Sequence, residues 1–284
     1  MDIDLLRTFL EIVETGHFIR AAERLNVTQS TVSARIKELE SRLGQPVFQR
    51  GRSGASLTGA GRHFLPHATA MLRIWRQARQ AVALPPEYEA VLAVGGQFSL
   101  WDRLLQRWLA WMRREQPKVA LRAEVSRPDE LMRLLVEGNL DLAVLYAPQA
   151  RTGLRIEKLL EERLILVSTG GAEIRPGNPG YVMVDWGAAF QADHASAFPD
   201  VAMPGLSIGV GAVALNHVMA EGGGAYFPVR MVRDHLEAGR LARVAGTPEF
   251  SRPAYVAWQD REDALLARAI DGLRAVAAEE AAAG

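Results

Sequence analysis

The prolines at 85 and 86 divide the chain into two stretches that cannot fold alike. Proline cannot continue a helix and drives the residue before it toward an extended backbone, so Leu84 ends any helix that reaches it. Upstream, apolar residues recur with the helical period. Leu5, Leu6, Phe9, Leu10, Ile12 and Val13 form one stripe that stops at Gly16, and Phe18 to Leu25 form a shorter helix whose Ala21 and Ala22 allow close packing. Asn26-Val27-Thr28 makes a turn. A third helix runs from Gln29 to Leu43, with Thr28 as N-cap, Val32, Ile36 and Leu39 facing inward, and Gly44 as the stop.

Two short apolar stretches, Pro46-Val47-Phe48 and Ser56-Leu57, flank Arg50-Gly51-Arg52-Ser53-Gly54 and predict a small hairpin with arginines at its tip. Three helices and a hairpin make a winged helix-turn-helix pattern over 1–58. Between 59 and 84, Phe64, Ala68, Met71, Trp75, Ala78 and Val82 are spaced 4, 3, 4, 3, 4, the seam that a coiled-coil partner buries. A helix lying along its own domain would show the same spacing, because three heptads are few.

Residues 85–89 read as a hinge, and beyond them strands alternate with helices. Strands are expected at 90–94, 119–125, 140–146, 207–210 and 225–227, and helices at 101–114, 129–137, 213–220 and 229–238. Such alternation predicts parallel sheets covered by helices. The Gly/Pro-rich stretch 170–180 splits this region, 90–284, into two α/β lobes, and the Ala/Glu tail from Val276 reads as a helix end or a frayed terminus.

Charge is unevenly spread. Lys plus Arg and Asp plus Glu each total 33, yet residues 1–80 hold twelve bases against seven acids, and Ser41 to Gln80 hold seven arginines and no carboxylate. The basic end suits a polyanion. The chain has no cysteine, which excludes disulfides, thiol nucleophiles and thiolate metal sites. Asp2, Asp4, Arg7, Glu11 and Glu14 interrupt any signal-peptide core, and no apolar run approaches the ~20 residues of a membrane span, so a cytoplasmic protein without a membrane partner is expected.

Gln29, Ser30 and Ser33 stand at the start of the third helix, where an amide or hydroxyl reaches base edges in a major groove while the helix terminus faces phosphate. Arg50 and Arg52 suit backbone or minor-groove contact. Two other motifs are weaker. Gly209-Val210-Gly211-Ala212-Val213-Ala214 fits a loose dinucleotide loop, but no carboxylate follows at ~20 residues, so close approach to a small anionic effector explains the glycines better. His63 and His67 are at i, i+4 but lack a third ligand, and no catalytic triad is discernible; neither metal, cofactor nor enzymatic activity is expected.

The run from Phe9 to Phe18, with Ala21-Ala22, Leu25, Thr28-Gln29-Ser30, Ser33, Ile36, Leu39-Glu40, Leu43-Gly44, Phe48, Arg50, Leu57-Thr58 and Gly61, closely resembles the DNA-binding domain of LysR-type transcriptional regulators. Glu221 to Pro228 with Gly239-Arg240-Leu241 resembles that family's second effector lobe. Leu100-Trp101, Asp185-Trp186-Gly187 and Ser251-Arg252-Pro253 with Trp258 resemble one subgroup more narrowly.

The resemblance implies an α/β protein with an N-terminal winged helix-turn-helix (1–58), a dimerising helix (59–84) and a two-lobed effector domain like a periplasmic binding protein (90–284). It implies a homodimer or homotetramer on double-stranded DNA with an interrupted palindromic operator, a small-molecule effector between the lobes, and altered access of RNA polymerase. Thr28, Gln29, Ser30, Thr31, Ser33, Arg35, Arg50 and Arg52 become the DNA-binding candidates. Gln97, Phe98, Ser99, Trp101, Arg127, Tyr146 and Val213 become the effector candidates, although Phe98 and Trp101 would also suit a core. There are departures. His17 stands where the family often has Ser, and Ala34 where it commonly has Arg; Arg35 is one residue later, and one residue rotates a helical side chain by about 100°.

Overall fold

The structure, a computed structural model, describes residues 2–282 apart from 52, 53, 152, 171–173, 202 and 203, and at 50, 80 and 81 the backbone alone. Two compact units contain residues 1–91 with 133–140, and 92–132 with 141–284.

In the first unit, α1 (Ile3–Thr15) is capped by the Asp2 carboxylate, which accepts from the Asp4 amide, and ends at Gly16 with φ 68°. The second helix, α2 (Phe18–Arg24), buries Phe18, Ala21 and Ala22. Thr28 caps α3 (Gln29–Leu43), which buries Val32, Ile36 and Leu39. Strands β1 (Phe48–Gly51) and β2 (Gly54–Leu57) pair antiparallel, with Gly51 opposite Gly54. Pro46 lies outside the ladder, and its carbonyl accepts from the Thr58 hydroxyl at 2.6 Å. Gly54 has φ 121° and packs against Gly16, where a Cβ would overlap the Gly16 carbonyl. Phe9 joins these elements, with its ring 5.2 Å from Phe48 and 5.1 Å from Phe64.

The long α4 (Gly59–Val82) divides the predicted seam. Ala68 and Leu72 are buried in this unit's own core, and Phe64 and Met71 pack against it. Trp75, Ala78 and Val82 are exposed, as is Ile74. The seam spacing alone does not distinguish these uses, because an apolar stripe marks a face to be covered and not what covers it.

The chain continues with β3 (Ala90–Gly96), α5 (Phe98–Leu100), α6 (Gln106–Glu115), β4 (Val119–Val125), α7 (Pro128–Val136), whose last turn falls in the first unit, and β5 (Leu142–Tyr146). The helix expected over 101–114 is interrupted: Asp102 (ψ 119°) and Arg103 (φ 61°) leave helical geometry, and a regular helix resumes at Gln106. There follow β6 (Leu154–Ser168), β7 (Val182–Val184), α8 (Ala188–Ala197), β8 (Leu206–Ile208), α9 (Gly211–Glu221), β9 (Gly224–Pro228), α10 (Val229–Glu237), β10 (Ala242–Arg243), β11 (Phe250–Gln259) and α11 (Ala264–Ala282).

The expectation of parallel sheets is corrected. One seven-stranded sheet runs β10-β6-β11-β5-β3-β4, with β9 also on β6, and β7 and β8 form a separate pair. Pairs β3/β5 and β7/β8 are parallel, whereas β6 pairs antiparallel with β11, β9 and β10, and β11 antiparallel with β5. The cause is the length of β6 and β11. Leu160 on β6 belongs to the core of a first lobe with Val94, Trp108, Val144 and Leu273, while Leu164 belongs to the core of a second lobe with Val182, Trp186, Phe190 and Phe227. Likewise, Phe250 on β11 lies in the second core and Ala254 in the first. Two antiparallel crossings therefore join the lobes.

The Ala/Glu tail is packed rather than frayed: α11 buries Val276 and Ala277, and Glu280 accepts from Arg107. Among the described residues, no helix is long and apolar enough to cross a membrane, and no group of three or more His, Cys, Asp or Glu could hold a metal ion.

His194 is buried in the second lobe, its Nε2 2.8 Å from the Tyr181 hydroxyl and its ring 4.9 Å from Phe198. Burial lowers its pKa below the usual 6.5. The unfolded chain then takes up the proton first, so the stability contributed by neutral His194 is complete above pH 6.5 and declines as the pH falls toward the folded-state pKa. The stability advantage of the wild type over His194→Leu, followed by thermal melting from pH 7.5 to 5, is expected to shrink with falling pH; a constant difference contradicts this.

Candidate nucleic-acid interface and ligand site

At the start of α3, the Thr28 hydroxyl accepts from the Thr31 amide at 3.2 Å and bonds the hydroxyls of Ser30 (2.8 Å) and Thr31 (2.9 Å). Capping engages the Thr28 hydroxyl at the helix end, with those of Ser30 and Thr31 beside it. Gln29 and Ser30 are exposed, and Ser33, half-buried, follows Gln29 by one turn. Lys37 continues that row one turn further and is exposed. A selection by motif omits Lys37, whereas the i, i+4 spacing from Gln29 through Ser33 includes it. Arg35 points elsewhere: its Nη2 donates to Asp4 at 2.9 Å and its Nη1 to the Thr8 hydroxyl at 3.4 Å, so it braces α3 against α1. Arg50 lies on β1, but its side chain and the whole of Arg52 are outside the described residues.

In the second unit, three of the effector candidates meet where the lobes join. Gln97 accepts the Tyr146 amide at 2.6 Å, and the Ser99 hydroxyl donates to the Tyr146 hydroxyl at 3.3 Å. Tyr146 in turn donates to Glu162 at 2.6 Å. Phe98, Arg127 and Val213 are exposed. Trp101 serves the scaffold of the first lobe, its indole N–H donating to the carbonyls of Gly96 (3.1 Å) and Glu124 (3.2 Å).

Three further residues complete the junction, and local sequence patterns do not select them. Arg230, at the start of α10, donates through Nε to Glu162, through Nη1 to the Asp102 carbonyl and through Nη2 to the Ser99 carbonyl. Arg252 is opposite Glu162 in the β6/β11 register. Its guanidinium lies 3.3 Å from the Tyr146 ring centroid and 5.2 Å from that of Trp186. The only local sign of Glu162 is a carboxylate where the strand turns inward; its neighbour Glu161 is exposed.

Burial sets the electrostatics. Glu162 and Arg230 are 5 % exposed each. Burial opposes the Arg230 cation, but the adjacent Glu162 carboxylate outweighs it and raises its pKa. Burial, reinforced by Glu162, pushes the Tyr146 phenol well up, so it remains a donor. Burial lowers the pKa of Arg252. Glu162 has both oxygens bonded, and Arg230 ties lobe-two helix α10 to lobe-one carbonyls.

Removing one partner of a buried pair leaves an uncompensated charge. Arg230→Met is therefore expected to cost about 3–5 kcal/mol in urea unfolding. Glu162→Met combined with Arg230→Met should cost less than the two single changes added together. A loss below 1 kcal/mol for Arg230→Met, the range of an exposed pair, contradicts the buried coupling.

Comparison with known proteins agrees with this architecture. The model of bacterial regulatory helix-turn-helix proteins of the lysR family matches residues 3–62, and that of the LysR substrate binding domain matches residues 87–179. The chain is 31% identical over 266 residues to the HTH-type transcriptional regulator HdfR of Escherichia coli, covering 93% of this chain and 94% of that protein. Among solved structures, ArgP from Mycobacterium tuberculosis aligns with a TM-score of 0.63 at 23% identity, covering 98% of this chain and 97% of that one. Full-length LysG from Corynebacterium glutamicum with bound effector Arg aligns at 0.62 and 21% identity, covering 98% and 99%. The chain belongs to the LysR family of transcriptional regulators, and within it is similar to HdfR.

Proposed function

We propose that this LysR-type regulator reads operator DNA with the exposed Gln29 and Ser30 and the half-buried Ser33, extended by Lys37. The observation that carries this proposal is that the Thr28 cap and the buried Val32, Ile36 and Leu39 hold the opposite face of α3 in the core, leaving that row outward. Such a helix start fits a major groove, where a glutamine amide pairs with adenine and a serine hydroxyl serves a base or a phosphate. The arginine-bearing wing at 50–52 supplies backbone or minor-groove contacts.

Two copies pair through the exposed part of α4, Trp75, Ala78 and Val82 with Ile74, which sets two recognition helices about 34 Å apart on an interrupted palindrome. A pair of such dimers makes the homotetramer. A small-molecule effector binds at the lobe junction around Gln97, Ser99 and Tyr146, shifts an existing equilibrium of assembly shapes, and so changes DNA bending and the access of RNA polymerase. The effector carried by LysG, a protein of the same fold, supports this use of the second unit. A regulator of this kind works in the cytoplasm.

Gln29→Ala with Ser33→Ala should lower the discrimination of operator from random DNA by about 1–3 kcal/mol or more in gel retardation, with an unchanged circular dichroism spectrum. Unchanged operator preference would sink the assignment of α3. Trp75→Glu should weaken dimerisation in sedimentation equilibrium, and a wild-type profile removes α4 from the interface.

A further inference from the structure

Arg252 is the one cation of the lobe junction whose partner is missing among the described residues. Its Nη1 is shut off from solvent and has no hydrogen-bond partner. The nearest buried carboxylate is engaged elsewhere: Glu162 accepts from Arg230 on one oxygen and from Tyr146 on the other. Asp185 is turned to α8, with one oxygen accepting from the Gly187 amide at 2.9 Å and the Gln191 amide group at 3.0 Å. Asp102, whose pKa burial raises, lies by Arg230 and Arg103.

The Tyr146 ring 3.3 Å from the guanidinium carbon covers a face of the cation. Stacking does not satisfy N–H groups, which point outward in the guanidinium plane. The unpaired edge therefore asks for a planar acceptor in that plane, which is what a carboxylate offers.

A second feature converges on the same place. Helix α9 has no side-chain cap: its N-cap residue is Val210, and the first amide bonded back to the cap is that of Ala214. Gly211 opens that helix against Trp186 so closely that a Cβ would overlap the indole, and this is the indole that Arg252 approaches to 5.2 Å. A guanidinium edge and an uncapped helix start thus meet around Trp186, and both favour negative charge.

We propose that Arg252 is the anion-recognising residue of the effector site, and that the effector is a carboxylic acid whose carboxylate takes the in-plane edge of Arg252 while its body lies against Trp186 near the start of α9. This rests on the lobe junction being the effector site and narrows the ligand to one chemical class. A neutral carbonyl would accept the N–H without the strength that an ionised acceptor adds, and a cation would be repelled.

The test uses the full-length protein and five probes at matched ionic strength: acetate, benzoate, acetamide, benzamide and inorganic phosphate. Binding is read by tryptophan fluorescence and thermal melting. Acetate and benzoate should bind the wild type at least tenfold more tightly than their amides. Arg252→Gln, with its fold checked by circular dichroism, should lose that preference, and Arg252→Lys should keep part of it. Should Arg252→Gln fail to fold, the comparison of acid with amide in the wild type and in Arg252→Lys still decides. Equal binding of acids and amides, an undiminished preference in Arg252→Gln, or binding of phosphate without carboxylates overturns the proposal. If no probe binds while the wild type still retards its operator, the carboxylate subsite is refuted and the DNA-binding assignment stands; if operator binding fails too, the regulator assignment is also refuted.

Discussion

The Glu162 and Arg230 pair is the contact on which the second unit turns, because it sits where two strands carry the chain from one hydrophobic core to another. A lone charge at that depth is costly to desolvate, and this pair is tolerated because each oxygen of Glu162 and each nitrogen of Arg230 has a hydrogen-bond partner. Tyr146 completes the Glu162 coordination, and the carbonyls of Ser99 and Asp102 complete that of Arg230. The polar network thus joins a β6 carboxylate, the end of β5, α5 with the distorted turn after it, and the first turn of α10. Any molecule entering the junction must do so without breaking these bonds, or must replace them.

The first unit depends on a different device. Its helices are ended by residues that suit their positions, Asp2 and Thr28 at N-caps and Gly16 and Gly44 at left-handed stops. One aromatic group, Phe9 with Phe48 and Phe64, then ties helix, wing and linker helix together. The polar row of α3 is outward because the rest of that helix is used inward.

This contrast explains what the sequence revealed. The first unit was legible because caps, stops and a 3.6-residue period are local properties, and Thr28 to Ser33 could be chosen as a site from their position at a helix start. The second unit was legible as alternating strands and helices but not as a mixed sheet, since β6 and β11 are joined through residues about ninety positions apart, such as Glu161 and Ser251. Arg230 and Glu162 are 68 residues apart, so neither announces the other. Gln97, Ser99 and Tyr146 were accessible through family likeness, whereas Arg35 gave no sign that Asp4 would hold it. The packing of α11 was hidden for a related reason: Glu280 reads as a solvated acid until Arg107, 173 residues away, is seen beside it.

The two crossing strands also limit the motion open to the lobes. Sliding one lobe along β6 and β11 would break successive ladder bonds together, because the strands are paired on both sides of the junction. Torsion about the strand axis disturbs few of those bonds, and the ladder already shifts register between Ala254 and Tyr255, close to Arg252. Mechanically, the second unit is a torsion bar that resists shear, and its ladder is interrupted beside the half-buried Arg252.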